Sequence, residues 1–397
     1  MLFFKNHFLG RSVEMQHSLP FLSFLTGQIA LDSAPALSDD ASDTWMKYGE
    51  LREAVQDRLK RLCPPSADLL NPRSLVLCAL PQTKAGVVAY LSAVASGHAV
   101  LLLDANLPRL DLFLSAYDPD WVLLSSALHP GAVYTLEDWP EEGIFLWRKT
   151  TSSEAMPHRD LFLLLRPPGP PEQIKTVRLS YDNVAANLAA SLGTLPITKG
   201  TRALIQMPLS YSFSLSILHM ALSVGGCVVL TEKDIKDRAL WTLIQRRDVD
   251  LFAGVPFHYE YIAKACIDNL RVPRLKIFLQ AGGRMPVERT QELLRQFQAR
   301  SASLFLLYGQ TEAAPRIAIL PAHLYPEKLN TVGQVVTGGR IDIAEGGRLI
   351  YRGPNVMMGY AEKRSDIALG NSMDGVLDTG DRGGLDKQGF VFIEGKG

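Results

Sequence analysis

Apolar residues fall along this chain in two alternating rhythms. Over 44–62 they recur at helical spacing (Tyr48, Leu51, Val55, Leu59, Leu62) while charged residues fill the other face, which predicts an amphipathic surface helix. Short, largely apolar runs then appear at 74–79, 99–103, 121–125, 161–165, 202–207, 227–230 and 275–280. Each has strand length, and the small-residue segment 84–96 between the first two reads as a helix. Strands alternating with helices favour parallel ladders covered by helices on their faces.

Beyond Pro321 the pattern changes to short β-like runs punctuated by glycine. The runs IDIA and RLIYR flank Glu345-Gly346-Gly347 and read as a hairpin, with the glycines supplying positive φ. The expected fold is therefore α/β: layered, mostly parallel sheets with flanking helices plus a small distorted β-barrel. One large unit spans 1–397, with approximate subregions 1–165, 166–325 and a barrel-like 326–397.

Composition narrows the partners. With 41 basic and 41 acidic residues the formal charge is zero, so no basic field follows a phosphate backbone, and nucleic acid is not expected as a partner. Cys63, Cys78, Cys227 and Cys266 lack CxxC spacing and sit in apolar or helical contexts, as reduced structural thiols do. The opening residues are apolar only in patches, and 161–165 is far too short to cross a bilayer, so no membrane association is expected and the cytoplasm is the expected compartment.

The strongest local chemistry is LFLLYGQTEAAP, 304–315: a buried strand running into Tyr308-Gly309-Gln310-Thr311-Glu312. An aromatic face, a glycine that admits a ligand to the backbone, a hydroxyl and a carboxylate lie within five residues. Together they could stack a base, contact a phosphate and hold Mg2+. The plainer reading is a strand followed by a helix, with Thr311 as cap and Glu312 in its first turn.

Tyr308-Gly309-Gln310-Thr311-Glu312 resembles the Tyr-Gly-x-Thr-Glu signature of the adenylate-forming superfamily, which includes acyl-CoA synthetases, nonribosomal adenylation domains and luciferases. Further segments resemble that family in the same order: Tyr48-Gly49-Glu50-Leu51, Leu103-Asp104-Ala105-Asn106-Leu107-Pro108, Gln280-Ala281-Gly282-Gly283, Val332-Gly333, Arg352 to Tyr360, and Asp378-Thr379-Gly380-Asp381. Several motifs in order are far more specific than any one. The resemblance covers about 40–397 and implies that this is the large N-terminal portion of such an enzyme. It implies that Tyr308 stacks on adenine beside Gly282, Gly283 and Gly309, Thr311 approaches the α-phosphate, Glu312 coordinates magnesium, and Asp381 grips the ribose. Taken alone, Asp381 would read as a turn residue and the two glycines as a tight turn.

Three departures qualify that expectation. The family's Ser/Thr/Gly-rich phosphate loop corresponds here to Arg166-Pro167-Pro168-Gly169-Pro170-Pro171-Glu172-Gln173-Ile174-Lys175, in which only Gly169 and the lysine survive. Proline donates no backbone hydrogen bond and Glu172 repels phosphate; without the resemblance this is a stiff surface loop. The chain stops at Glu394-Gly395-Lys396-Gly397, with Lys396 where the family has the arginine of a hinge. The small domain that would follow, with its assisting lysine, is absent, either because the sequence ends at the hinge or because the protein lacks that domain. Finally, the acyl pocket is unusual: Ser210 and Ser214 take places that often hold an aromatic gate and a glycine. Its expected walls are Tyr211, Phe213, Val255 and His258, the last reading by default as a packed or solvent-bonded side chain.

These observations imply an adenylate-forming ligase-like protein: AMP-dependent activation of a carboxylic acid, then transfer to CoA or a carrier-protein thiol. Its cofactors would be ATP or AMP with Mg2+, Lys175 would join Thr311 and Glu312 in catalysis, and use of ATP would be impaired. The alternatives are a pseudoenzyme acting as a binding or docking module, or an enzyme working on a preformed acyl-adenylate or thioester.

Overall fold

The computed structural model describes residues 19–26, 31–63, 73–125, 129–140, 143–265, 270–324 and 327–396. The chain divides into two compact units: Met1–Ala185 with Pro208–Tyr211 and Met357–Ser372, and Ala186–Met207 with Ser212–Val356 and Met373–Gly397.

The first unit is built on an eight-stranded sheet. Its centre is parallel: Leu75–Leu80 lies between Ala99–Asp104 and Trp121–Leu124, and Ala99–Asp104 also pairs with Leu161–Leu165. Every residue of Leu161–Leu165 is buried, as the unbroken apolar run requires of a strand covered on both faces. The edges are antiparallel, Leu161–Leu165 pairing with Thr176–Ser180, which in turn pairs with Gly359–Ala361. Helix Lys84–Ala95 starts at Thr83, whose side chain accepts the Gly86 N–H, and it buries nearly its whole circumference because its residues are small and apolar. Gly86 is obligatory: a Cβ there would stand 2.0 Å from the Pro81 carbonyl oxygen. Helix Tyr48–Leu62 is amphipathic as its spacing predicts, burying Tyr48, Leu51, Val55 and Leu62.

The second unit begins with five parallel strands in the order Cys227–Leu230, Arg202–Ile205, Leu251–Gly254, Ile277–Gln280, Ser303–Gly309. From Ser303–Gly309 onward the pairing turns antiparallel through Arg316–Leu320, Gly333–Val335, Phe390–Lys396 and Val376–Leu385 to Arg348–Arg352 and Arg340–Ile343. The layered α/β expectation is met. The late strands run on from the sheet as an antiparallel ribbon, and no ladder joining its ends is seen among the described residues. The reason lies in Gly333–Val335, which pairs with Arg316–Leu320 on one side and Phe390–Lys396 on the other, tying the ribbon to the parallel strands. The expected hairpin forms as written, with Gly346 and Gly347 at φ 72° and 76°.

Among the described residues no helix is long and apolar enough to cross a membrane. Cys63, Cys78 and Cys227 are not disulfide-bonded, and Cys266 lies outside the described residues.

Candidate functional site

The signature strand Ser303–Gly309 delivers the candidate residues to one edge of the second unit. Gly309 must be glycine for a local reason: the chain folds straight back so that Gly309 pairs with Arg316, and a Cβ would lie 1.8 Å from the Pro315 carbonyl oxygen. Gln310 then precedes a 3-10 turn over Thr311–Ala313 without a side-chain cap. Thr311 is thus not the cap that the plainer reading supposed. Its buried hydroxyl meets the Ser212 hydroxyl at 3.1 Å, at the start of helix Ser212–Ser223. Glu312 is buried in that first turn. The turn is clamped from behind by two buried amides: Asn187 and Asn355 each donate through Nδ2 to the carbonyls of both Ala313 and Arg316, at 2.6 to 3.2 Å.

Tyr308 and Asp381 come together although 73 residues separate them. The Tyr308 hydroxyl donates to Asp381 Oδ2 at 2.7 Å, and Lys396 Nζ lies 2.8 Å from Oδ1. Strand register explains the second contact, since Asp381 is paired directly with Lys396. Burial, reinforced by the neighbouring carboxylate, raises the Tyr308 phenol well above its ordinary range, so it remains a donor. Gln310 Nε2 approaches the Thr379 carbonyl at 3.4 Å, further tying the strand end to the segment that carries Asp381.

The loop after Ile277–Gln280 bends through Gly282 and Gly283 at φ 76° and 147°, and the buried Gln280 side chain donates to the Gly283 carbonyl at 2.8 Å. Gly282 supplies left-handed backbone, as the turn reading required. On helix Pro256–Ala265, His258 turns its Nδ1 back to accept the Val255 N–H at 3.1 Å, and burial lowers its pKa. That lone pair is committed locally, to backbone three residues away. Phe213 lies on helix Ser212–Ser223 under the guanidinium of Arg316, 5.6 Å from Cζ to the ring centroid.

Tyr308, Gly309, Thr311, Glu312, Gly282, Gly283, Asp381, Lys396, Phe213, Val255 and His258 all belong to the second unit; Lys175 and Tyr211 belong to the first. Lys175 holds its ammonium 4.2 Å from the centre of the Tyr360 ring. Burial raises the Tyr211 phenol. In the same unit Arg166 turns into its own proline loop, donating from Nη2 to the carbonyls of Gly169 and Pro170 and from Nε to that of Gln173. Sequence reasoning missed Asn187, Gln280 and Arg316 as individuals. Arg316 carried a usable signal, a single charge opening the apolar strand Arg316–Leu320.

Residues 173–361 match the AMP-binding enzyme family. Over this segment, a little under half of the chain, the protein is similar to the adenylate-forming superfamily. A 2-succinylbenzoate–CoA ligase of Bacillus subtilis is 28% identical over 229 residues, 55% of this chain and 45% of the relative. A D-alanine–D-alanyl carrier protein ligase of Bacillus cereus is 24% identical over 343 residues, covering 78% and 66% respectively. The solved structure of o-succinylbenzoate CoA synthetase from Bacillus subtilis with its acyl-adenylate intermediate shares the fold, at a TM-score of 0.73 and 22% identity over 95% of this chain and 99% of that one. The chain spans about half the length of the first curated relatives it matches. Asp381 and Lys396 lie beyond the matched segment, and most of the proline loop precedes it.

Proposed function

We propose that this chain binds the adenylate half of an activated carboxylic acid, in a ligase-like reaction that ends on CoA or a carrier-protein thiol, and that it uses the triphosphate tail of ATP poorly. The observation carrying this reading is the Tyr308–Asp381–Lys396 cluster, with Thr311 three residues after Tyr308 on the same clamped turn. A carboxylate held by one phenol and one exposed ammonium can exchange the ammonium for the two hydroxyls of a ribose. The Tyr308 ring would face the adenine, Gly282 and Gly283 would let it lie against backbone, and Thr311 would meet the α-phosphate. Glu312 suits magnesium, which takes one or two carboxylates with the rest of its shell from water and phosphate. Electrostatic clamping of the developing phosphate charge is the chemistry that ion supplies.

Impaired ATP use follows from the loop at 166–175. Hydrogen bonds to charged groups contribute about 1.5–3 kcal/mol each, so losing two or three donors to proline weakens triphosphate binding by several powers of ten. The carbonyls of Gly169, Pro170 and Gln173 accept from Arg166, which commits that cation to the loop itself. The same loop favours one second reading, an enzyme or binding module that receives a preformed acyl-adenylate. Calorimetry with AMP, ATP and a non-hydrolysable acyl-adenylate analogue tests the proposal. AMP and the analogue should bind at least as tightly as ATP, and ATP–pyrophosphate exchange across a panel of acids should be weak. ATP binding far more tightly than AMP would overturn the impairment, and no AMP binding at millimolar ligand would overturn the adenylate reading.

A further inference from the structure

Arg316 is 2% exposed, among the most deeply buried charged side chains in the protein. Its Nη1 donates to Ser216 Oγ at 2.9 Å, and its Nε and Nη2, both buried, find no hydrogen-bond partner. Burial lowers the guanidinium to about 9, which still leaves it protonated at neutral pH. A buried cation normally has a counter-charge, and a structural position of this kind is served as well or better by an apolar side chain. Among the described residues the compensation seen besides Ser216 is the face of Phe213.

The identity of the two unsatisfied nitrogens is informative. Nε and Nη2 share one edge of the guanidinium plane, and their parallel N–H bonds are the fork that meets both oxygens of one carboxylate. Placement is informative too. Helix Ser212–Ser223 touches Thr311 through Ser212 and receives Arg316 at Phe213 and Ser216, about one helical turn (~5.4 Å) further on. The Ser214 hydroxyl, buried on that turn, is also without a partner. The backbone on which Arg316 sits is fixed by Asn187 and Asn355, so the fork is held in place.

We infer that Arg316 selects acids carrying a second carboxylate, a short dicarboxylic acid whose reacting end lies toward Thr311 while its far end fills the Nε/Nη2 fork. This rests on the adenylate reading, which it deepens by naming the substrate class. The test compares adenosine acyl-sulfamates bearing a glutaryl group with the same compounds whose terminal carboxylate is an amide, alongside AMP. Wild-type protein should prefer the diacid by at least ~30-fold. Arg316→Met should reduce that preference to within about twofold while leaving AMP affinity unchanged, and Arg316→Lys, which keeps charge without the fork, should fall between. The unliganded melting point of Arg316→Met should stay level or rise, because the variant sheds the desolvation cost of a buried, uncompensated cation. AMP binding with equal affinity for diacid and amide in the wild type would overturn the inference and leave the adenylate reading intact. That comparison needs no variant, so it decides the matter even if both substitutions fail to fold. Failure of AMP itself to bind would remove the reading and the inference together.

Discussion

The Tyr308–Glu312 turn of the second unit and the 166–175 loop of the first are similar in kind, each a connection between antiparallel strands, and opposite in what they do with their polar groups. The turn is held from behind by Asn187 and Asn355, which satisfy its carbonyls with side chains brought from distant segments. Its Thr311 hydroxyl and Tyr308 phenol are thereby committed to side chains outside the turn, Ser212 and Asp381, rather than to the turn's own backbone. The loop leans mainly on itself: the carbonyls of Gly169, Pro170 and Gln173 accept from its own Arg166, that of Ile174 takes the one distant side-chain donor seen among the described residues, the Tyr117 hydroxyl, and proline removes four of its backbone donors. A binding surface needs its groups positioned by something else. Where a segment satisfies itself, little remains for a ligand.

That contrast would be trivial if the first unit were merely a looser fold, and acid denaturation tests this with the largest expected effect. Burial drives His98 of the first unit from 6.5 down to about 4, and His219 of the second to about 3. The His98 Nδ1 accepts the Ser74 N–H at 3.2 Å, which requires the neutral ring. A depressed histidine stabilises the fold above its unfolded value, and that contribution is lost as pH falls from 6.5 through the folded value. For His98 it amounts to about 3 kcal/mol. Urea midpoints between pH 7.5 and 4 should fall steeply, and His98→Gln and His219→Gln should each flatten the slope. A slope unmoved by His98→Gln but flattened by His219→Gln would show the first unit to be the looser one and dissolve the comparison.

Next in size is the loss of the carboxylate proposed to hold the ribose. Asp381→Asn keeps the shape and an acceptor for Tyr308 but removes the charge, so AMP affinity should drop about 100-fold with folding little changed. A drop of less than threefold by calorimetry would mean that Asp381 serves only Tyr308 and Lys396. Repair of the loop comes third. Replacing Pro167, Pro168, Pro170, Pro171 and Glu172 with Thr, Ser, Ser, Thr and Gly restores donors and removes a negative charge, and should improve ATP about tenfold relative to AMP. An unchanged ratio would place the defect elsewhere.

The same two regions mark how far the sequence could be read. The strands were legible because each run is largely apolar and of strand length, most plainly at Leu161–Leu165, and the Glu345–Gly347 hairpin was legible because its glycines announce positive φ. The Tyr308 signature was legible as a linear motif. What could not be read was anything decided by pairing across the chain: that Gly309 is forced by the returning Pro315 carbonyl, that Thr311 meets Ser212, that Tyr308 points its hydroxyl at Asp381, or that the late strands join the main sheet. Periodicity records which residues are buried, and register decides what they meet.

The smallest predicted effect divides one residue in two. Tyr308 has a ring, assigned to adenine, and a hydroxyl, which the structure commits to Asp381 at 2.7 Å. Tyr308→Phe removes only the second. If the ring does the binding, AMP affinity should change by less than about threefold, because stacking depends on the aromatic face and Asp381 remains beside the ribose. Stability should fall by about 1 kcal/mol, the net value of one ordinary hydrogen bond, since Asp381 keeps Lys396 as a partner and is not left bare. Tyr308→Leu should then lose both properties. If instead Tyr308→Phe weakens AMP as much as Asp381→Asn does, the hydroxyl is setting the carboxylate for the ribose. The signature tyrosine would then belong with Asn187 and Asn355 among the positioning residues rather than on the ligand.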